Sequence, residues 1–287
     1  MDIQTLNAFI EVARLQSFSK AAEVLFVTQP AISKRITTLE TELGTTLFNR
    51  INRRVTLTEA GRVLLPKAQN LRNELSDIRR LASNLSTTVA GELVMGTSHH
   101  IGLHRLPPIL KTFNKNFPEV RLDLRFVSSE EACAGVEQGD LELAIVTLPS
   151  TLPDQLQAQP IWLDALSVVV SPEHVLTQQG FCNINTLAQC RCVLPGIETH
   201  TYYIIEQAFA IEHQVLDVYI STNYLETLKM LVVAGLGWSL LPNTLIDQSV
   251  VVLNTPLKLN RSLGIITHKK RALSYAAKQL IQLTTLK

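Results

Sequence analysis

Polar and basic side chains recur along one face of a short predicted helix near the amino terminus, and their types suit contact with a polyanion. That face carries Gln29, Ser33, Lys34 and Arg35. Such side chains reach base edges and phosphates when a helix lies in the major groove of DNA. The alternative is an ordinary solvated helix with two basic residues, and the neighbouring segments favour the first interpretation.

Two short helices and a tight turn are the elements that would position this face. The first is predicted over about residues 19–25, where the small Ala21 and Ala22 allow a second helix to pack closely. The second begins after Thr28, a predicted N-cap, and accommodates Pro30 in its first turn. Its apolar positions, spaced 4, 3 and 4 apart, predict a buried stripe of Ile32, Ile36, Leu39 and Leu43. The pattern is that of a helix-turn-helix.

A basic wing follows the second helix. Leu47 and Phe48 are predicted to close a small core, and an Asn-rich turn then carries Arg50, Arg53 and Arg54 before a short strand. Extended arginines beside such a helix suit phosphates or the narrow minor groove. The candidate DNA-binding residues are therefore Ser17, Ser19, Thr28, Gln29, Pro30, Ser33, Lys34, Arg35, Arg50, Arg53 and Arg54.

The positive charge that would attract DNA is local. The whole chain of 287 residues has a formal net charge of only +1. Between residues 20 and 54, however, the basic residues Lys20, Lys34, Arg35, Arg50, Arg53 and Arg54 face only Glu23, Glu40 and Glu42. This local excess predicts a DNA-binding domain over residues 1–58.

A heptad pattern follows over residues 59–88. Apolar or small residues alternate at steps of 3 and 4 through Gly61, Leu64, Ala68, Leu71, Leu75, Ile78, Ala82 and Leu85. This seam predicts a coiled-coil linker helix that pairs two copies and places two helix-turn-helix units on one two-fold DNA site. Pro66 predicts a kink or a restart of the helix. A helix packed on its own carboxy-terminal domain remains the alternative.

From residue 89 the chain alternates between strands and helices, which predicts an α/β domain with a parallel sheet. The first unit is predicted as strand 92–97, helix 103–116, strand 120–127, helix 129–138 and strand 141–146. The second is predicted as strand 165–171, helix 184–190, strand 192–195, helix 200–212, strand 215–220, helix 223–235 and strand 237–241, followed by strands near 250–253 and 261–267 and a final helix over about 272–283. We expect two Rossmann-like lobes, the first over about 89–161 and 267–287 and the second over about 162–266, with a ligand cleft between them.

At this point the chain resembles the LysR-type transcriptional regulators over its whole length. The matching residues are Leu6, Phe9, Val12, Ser17, Phe18, Ala21, Ala22, Leu25, Gln29, Pro30, Ala31, Ser33, Ile36, Leu39, Glu40, Leu43, Gly44, Leu47, Phe48, Arg50, Thr56, Leu57, Thr58, Gly61 and Leu65, with looser matches at 139–145, 232–237 and 240–242. The resemblance implies a winged helix-turn-helix, a linker helix and a two-lobed effector domain similar to type 2 periplasmic binding proteins. It implies a regulator that binds promoter DNA as a dimer or tetramer and responds to a small-molecule effector, with RNA polymerase as a further candidate partner.

Carried onto this chain, the resemblance also implies the effector contacts. They are Thr97, Ser98, His99, His100, Ser128, Ser129, Thr147, Thr199 and His200. Hydroxyls and free N–H groups at helix amino termini suit a carboxylate or a phosphate, although each hydroxyl alone also suits a plain N-cap. No cofactor is expected.

Histidines and cysteines offer two further interpretations, which the spacing does not favour. His100 and His104 are four residues apart and share a helix face, but no carboxylate or cysteine is spaced along the sequence to complete a metal site. We therefore expect no metal, and we expect one or two of the imidazoles of His99, His100 and His104 to enter the cleft and contact the effector. Cys133, Cys182, Cys190 and Cys192 form no Cys-x-x-Cys pair and do not match the spacing of the peroxide sensors in the same family.

Two other classes of protein fit the sequence poorly. An enzyme would need a nucleophile motif or a cofactor loop, and Gly235-Leu-Gly237 lacks the third glycine of a dinucleotide fingerprint. A transported-solute receptor would need a secretion signal, whereas this chain begins with an amphipathic helix. No apolar run reaches the length of a membrane span. We expect a cytoplasmic protein that is neither an enzyme nor membrane-bound.

Overall fold

The computed structural model describes residues 2–51, 54–85 and 88–285. The chain forms two compact units, Met1–Ala82 and Ser83–Lys287. The first contains the predicted helix-turn-helix and the second contains the predicted α/β domain.

The first unit consists of three helices, a hairpin and a long helix. The helices are α1 (Ile3–Leu15), α2 (Phe18–Val24) and α3 (Gln29–Leu43). The hairpin, here called the wing, pairs β1 (Phe48–Ile51) antiparallel with β2 (Arg54–Leu57), and α4 (Glu59–Ser83) follows it. Three aromatic rings join the wing to the helices, since Phe48 meets Phe9 and Phe18 edge-on at centroid distances of 5.6 and 5.7 Å. The predicted winged helix-turn-helix is therefore present.

One predicted core residue of α3 lies outside the core. Ile32, Ile36 and Leu39 are buried as predicted, but Leu43 is 42% exposed. The chain leaves the helix directly afterwards at Gly44, whose φ of 65° is the left-handed conformation that glycine adopts without strain. The core is closed instead by Leu47 and Phe48, which are buried as predicted.

Helix α4 carries the predicted seam, but its first part packs within its own unit. Gly61 comes so close to the wing that a Cβ there would lie 2.3 Å from the Leu47 carbonyl oxygen. Ala68 also belongs to the core of this unit, whereas Leu71 and Ile78 are 41% and 60% exposed. The helix is continuous through Pro66, so the predicted restart is absent from it.

The helix also ends earlier than residue 88. It stops at Ser83, and Asn84 donates a hydrogen bond from Nδ2 to the Leu273 carbonyl oxygen at 3.0 Å. This bond connects the segment after the helix to the rest of the second unit. Because α4 ends at Ser83, Leu85, the last residue of the predicted seam, lies outside the helix.

A mixed sheet organises the second unit. Its strands are β3 (Gly91–Thr97), β4 (Val120–Phe126), β5 (Leu143–Thr147), β6 (Leu156–Val170), β9 (Ser239–Pro242), β10 (Val251–Val252) and β11 (Leu259–His268), and β7 (Cys192–Leu194) pairs in parallel with β8 (Val218–Ser221). Strand β3 lies between β4 and β5 and is parallel to both, whereas β11 is antiparallel to β5 and β6. Strand β6 also pairs with β9 and β10. The predicted parallel sheet is thus only part of a mixed one.

Helices surround these strands. They are α5 (His99–His104), α6 (Pro107–Asn116), α7 (Ser129–Gln138), α8 (Ile184–Ala188), α9 (His200–Ile211), α10 (Leu225–Val233) and α11 (Tyr275–Thr285), with short 3-10 turns at Val175–Gln178 and Asn243–Leu245. A single helix was predicted over 103–116, but the structure divides this stretch into α5 and α6. The division falls before Pro107, which lacks an N–H and begins α6 in the first helical position.

Buried apolar clusters define two lobes in this unit. The first lobe is built around Leu93, Met95 and Ile145, and the second around Phe209 and Trp238, whose rings stack at 5.6 Å. Strands β6 and β11 pair along their lengths and cross from one lobe to the other. The last crossing was predicted at about residue 266, but Leu263 and Ile265 already pack in the core of the first lobe.

A register irregularity interrupts the two crossing strands. It lies between Leu263 and Gly264, which pair with Trp162 and Pro160 respectively. A Cβ on Gly264 would lie 2.4 Å from the Gln159 carbonyl oxygen, so the strands approach closely here. The amino-terminal half of β6, residues 156–164, is absent from the prediction because Pro160 and the glutamines around it weaken the strand pattern.

Candidate functional site

Helix α3 presents a polar face with one exposed lysine and two side chains held by neighbours. Lys34 is the exposed lysine. Gln29 donates from Nε2 to Ser33 Oγ at 2.9 Å, and Arg35 donates from Nη2 to Gln4 Oε1 at 2.7 Å. The predicted face therefore exists, and the Arg35 guanidinium is held towards α1.

Four other predicted DNA-binding residues lie at the amino termini of α2 and α3. Ser17 Oγ accepts a hydrogen bond from Lys20 N at 3.2 Å, and Thr28 Oγ1 accepts one from Ala31 N at 3.4 Å. Both hydroxyls act as N-caps, and Ser19 is exposed in the first turn of α2. Pro30 is also exposed, in the first turn of α3.

A glutamate fixes the wing against α3. Glu40 Oε1 accepts hydrogen bonds from the backbone N–H groups of Leu47 and Phe48 at 2.7 and 3.3 Å. Arg50 and Arg54 lie in β1 and β2 rather than on a turn, and Arg53 lies outside the described residues. Sequence reasoning treats Glu40 only as a negative charge and a family match, because its two backbone partners become visible only in the folded chain.

A cavity of about 400 Å³ lies between the two lobes of the second unit. Seven of the predicted effector residues line it, namely Ser98, His99, His100, Ser128, Ser129, Thr147 and Thr199. Other lining residues were not predicted, among them Phe126, Glu130, Thr201, Asn223, Tyr224 and Arg261. The cavity is of the size that holds a small organic ligand.

Two predicted effector residues do not line this cavity. Thr97 is buried in β3, where its Oγ1 donates to the Ile145 carbonyl oxygen at 2.8 Å. His200 lies at the start of α9, and its backbone N–H donates to Glu130 Oε1 at 2.8 Å. A carboxylate of the first lobe thus occupies the helix end at which the sequence predicts an effector carboxylate.

The hydroxyl groups that line the cavity differ in the hydrogen bonds that they already make within the protein. Ser129 Oγ accepts from the backbone N–H of Thr147 at 3.2 Å. Thr199 caps α9 by accepting from Tyr202 N at 3.1 Å, and it donates to the Gly196 carbonyl oxygen at 2.7 Å. Ser98 occupies the N-cap position of α5 but makes no side-chain capping bond there. Ser128 forms a capping box with Glu131.

A buried charged network lies beside the cavity. Arg261 donates from Nε to Asp164 Oδ2 at 2.8 Å and from Nη1 to Thr201 Oγ1 at 3.3 Å. Arg105 donates to the other oxygen of Asp164 at 3.2 Å. Two guanidinium groups therefore share one carboxylate, which leaves an excess positive charge. Sequence reasoning missed Arg261 because its partner Asp164 falls in the part of β6 that was not predicted.

The cavity histidines occupy distinct environments. His99 meets the rings of Phe126 and Tyr224 edge-on at 5.8 and 5.4 Å. His100 is buried, and burial together with the nearby Arg261 lowers its pKa to about 4. His104 lies outside the cavity lining, with Nε2 3.0 Å from Glu226 Oε1. The sequence offers no carboxylate at a suitable spacing from His100 and His104, but the fold brings Glu226 of α10 next to them.

The four cysteines are free. Burial raises the pKa of the Cys133 thiol to about 11 and that of the Cys192 thiol to about 12. Neither is a thiolate at neutral pH, and reactivity requires the thiolate.

Two protein-family models match this chain, one in each of the two compact units. Residues 3–62 match the model of the bacterial regulatory helix-turn-helix protein, lysR family, and residues 86–285 match the LysR substrate binding domain. The chain belongs to the LysR family of transcriptional regulators. It is accordingly a DNA-binding regulator with an effector-binding domain, and it carries the α/β fold with a winged helix-turn-helix that the family implies.

Individual relatives show the same relationship. The regulator is 32% identical over 241 residues to the HTH-type transcriptional regulator BbuR of Bordetella bronchiseptica, and the match covers 84% of this chain and 74% of that protein. It is 31% identical over 241 residues to the transcriptional regulator cbl of Escherichia coli, covering 83% and 76% of the two chains. These relatives are transcriptional regulators.

Solved structures share the fold over nearly the whole chain. A variant of full-length OxyR from Pseudomonas aeruginosa, in which aspartate replaces one cysteine, superposes with a TM-score of 0.70 at 23% identity, covering 100% of this chain and 95% of that one. CbnR complexed with its target DNA gives a TM-score of 0.64 at 20% identity, covering 99% of each chain. Among the described residues, no helix is long and apolar enough to span a membrane.

Proposed function

We propose that the regulator binds a small anionic effector, such as a carboxylate, in the cavity between its lobes. The excess guanidinium charge of the Arg261, Asp164 and Arg105 network carries this proposal. Arg261 lines the cavity and is only 5% exposed, so its charge acts in a poorly hydrated site, where electrostatic attraction is stronger than in water. The Ser98 hydroxyl, which makes no capping bond, is available to the ligand.

Two glutamates also line the cavity, and backbone N–H donors offset only part of their negative charge. Glu130 accepts from the amino terminus of α9, and Glu131 accepts from Ser128 N at 3.0 Å. An effector carboxylate would meet Arg261, hydroxyl donors and the aromatic edges around His99. Of the nine predicted contacts, Thr97 and His200 are withdrawn from the proposal.

The proposed DNA contacts lie on α3 and the wing. Lys34 and Gln29 would reach base edges, and Arg50 and Arg54 would contact phosphates or the minor groove. Ser17, Ser19, Thr28 and Pro30 would approach the DNA backbone at helix amino termini. The regulator would act in the cytoplasm, where its promoter lies, and contact with RNA polymerase is a further prediction.

Two copies would pair through the second half of α4. Leu71 and Ile78 are one heptad apart and both remain exposed in the single chain. Pairing would bury them and place two α3 helices on a two-fold DNA site. Assembly to a tetramer would then use the second unit, and no residues are assigned to that step.

The effector proposal is tested by ligand-induced thermal shift of the full chain with a panel of small carboxylates, using the matching amides and amines as comparison compounds. We expect carboxylates alone to raise Tm, and we expect Arg261→Gln to abolish the shift. Because this variant leaves Asp164 short of a partner, the charge-balanced Asp164→Asn/Arg261→Gln variant serves as a second test. Arg121→Gln, at an arginine that is 84% exposed, is the control. Equal shifts with amides, or an unchanged shift in both Arg261 variants, would contradict the proposal.

A further inference from the structure

Three potential metal ligands from both lobes converge beside the cavity. His100 and His104 lie on α5 and Glu226 on the first turn of α10, and one ligand atom of each lies within 4.8 Å of the others. His104 Nε2 is 3.0 Å and His100 Nδ1 is 3.6 Å from Glu226 Oε1. Two ligands of a tetrahedral zinc ion lie roughly 3.4 Å apart, given metal–ligand distances near 2.1 Å. The ligand nitrogens of the two imidazoles would need to move only slightly closer together for the three ligand atoms to surround a tetrahedral ion.

Two polar atoms in this cluster have no hydrogen-bond partner within the described part of the chain. His100 is only 4% exposed, yet its Nδ1 is unpaired, and so is Oε2 of Glu226. Buried polar atoms in native proteins are nearly always paired, so a buried nitrogen without a partner calls for an explanation. Both atoms belong to the same cluster, and a cation bound by His100 Nδ1 and the Glu226 carboxylate would give each residue a partner.

The surroundings of His100 prepare it to act as a ligand. Its Nε2 lies 3.3 Å from Thr244 Oγ1. If Nε2 donates to that oxygen, Nδ1 keeps its lone pair and faces Glu226, which is the arrangement that orients histidines around protein-bound metals.

We propose that His100, His104 and Glu226 bind a divalent transition-metal ion of the zinc type, which links the two lobes. Two imidazoles and one carboxylate form a ligand set that zinc uses, with a fourth position left for water or another oxygen ligand. His104 and Glu226 have side chains that are 31% and 34% exposed, which gives the ion a route from solvent. The nearby Arg261 charge opposes the cation, and its Asp164 partner offsets much of that repulsion.

The alternative is a site that holds a proton instead of a metal. His104 and Glu226 would then form an ordinary ion pair when the histidine is protonated, and His100 Nδ1 would stay unpaired. The two interpretations differ in whether the purified chain binds a stoichiometric metal and in which residues abolish that binding.

The test is zinc titration of the full-length protein after removal of metals with a chelator, followed by competition with a chromophoric zinc chelator. We expect one zinc ion per chain, and we expect His104→Gln and Glu226→Gln each to weaken binding by at least about tenfold. The exposed His213 provides the control, since His213→Asn removes an imidazole elsewhere while keeping a residue that tolerates its φ of 54°. Thr244→Val should weaken zinc binding by roughly tenfold through its effect on His100 alone.

Cobalt substitution identifies the donors independently of folding defects in the variants. The expected spectrum is that of four-coordinate cobalt with nitrogen and oxygen donors. Thiolate-to-cobalt charge transfer would place the metal on cysteines and overturn the proposal, as would zinc affinity unchanged in both the His104 and Glu226 variants. The carboxylate titrations of the effector test are carried out separately on metal-free protein, so failure of one proposal does not imply failure of the other.

Discussion

Single residues in this regulator adopt conformations and protonation states that carry measurable costs. Phe26, in the turn between α2 and α3, has a φ of 54° and is 95% exposed. A bulky residue in the left-handed region costs about 1–2 kcal/mol, and this side chain recovers little by packing. The turn between the two helices therefore holds a local strain.

We expect Phe26→Asn to raise the free energy of unfolding by about 0.5–1 kcal/mol, because asparagine tolerates the left-handed conformation. Urea titration of the full chain measures the change. Val215→Asn is the control, since Val215 is 84% exposed and its φ is not positive. An equal gain in the control would show that removal of an exposed apolar group, and not the backbone conformation, is responsible.

His100 makes the stability of the effector domain depend on pH. In the unfolded chain its pKa returns to about 6.5, whereas in the folded protein it lies near 4, so the unfolded state binds the extra proton between these values. Its contribution is fully present above pH 6.5 and is lost as the pH falls towards 4. The charged or titratable groups that influence it are Arg261, Asp164, His104 and Glu226.

We therefore expect the Tm of metal-free protein to fall between about pH 6.5 and 4, and we expect His100→Gln to flatten that fall. Differential scanning calorimetry across this range measures both curves. His213→Asn should keep the wild-type slope. A slope in His100→Gln as steep as in the wild type would assign the pH dependence to other groups.

At the scale of elements, we propose that α3 contacts DNA and that α4 pairs two copies of the chain. Lys34 is exposed on α3 beside Gln29 and Ser33, which hydrogen-bond each other. We expect Lys34→Ala to weaken operator binding by about 1–3 kcal/mol if it contacts a base. Gel shift at fixed moderate salt provides the measurement, with Lys115→Ala, an exposed lysine at the end of α6, as the control. Wild-type affinity in Lys34→Ala would place the DNA on another face.

The exposed half of the α4 seam yields a prediction on assembly. In Leu71→Glu/Ile78→Glu, like charges would be buried across the two-fold axis, so the linker dimer should dissociate. Sedimentation measures the assembly, and Asn70→Glu, also exposed on α4 but outside the seam, is the control. A double variant that remains paired through α4 would rule out this seam as the interface.

How much the sequence predicts depends on the range of the interactions that decide each element. The caps at Ser17 and Thr28, the glycine end of α3 and the bounds of α7 follow from residues a few positions apart, and all were predictable. The Arg261–Asp164 pair and the Glu226 partner of His104 join residues 97 and 122 positions apart, so neither could be read from spacing. The split of α5 from α6 was predictable in principle from Pro107, but the apolar periodicity across it is continuous.

At the scale of the whole effector domain, carboxylates of one lobe meet the other lobe at two places. Glu130 of the first lobe accepts from the amino terminus of α9, and Glu226 of the second approaches the histidines of α5. Contacts of this kind favour one arrangement of the lobes over another. An effector can shift that equilibrium only by its differential affinity for the two arrangements.

We expect Glu130→Gln to tighten binding of an anionic effector severalfold. The substitution removes a negative charge from the cavity, and it weakens the hydrogen bond that Glu130 accepts from the amino terminus of α9. Calorimetric titration with a carboxylate found in the thermal-shift panel measures the effect. Glu137→Gln, at another glutamate of α7 that does not line the cavity, is the control. Weaker binding in Glu130→Gln would instead make Glu130 a support for the effector-bound arrangement.

The irregularity between Leu263 and Gly264 lies within the first lobe and bears on where the two lobes can move relative to each other. Opposite Gly264 stands Pro160, which has no N–H and cannot donate to a strand ladder. Leu263 and Ile265 flank the irregularity and both pack in the core of the first lobe. Bending of the strands at this step would displace core side chains, so we expect the hinge between the lobes to lie elsewhere along β6 and β11.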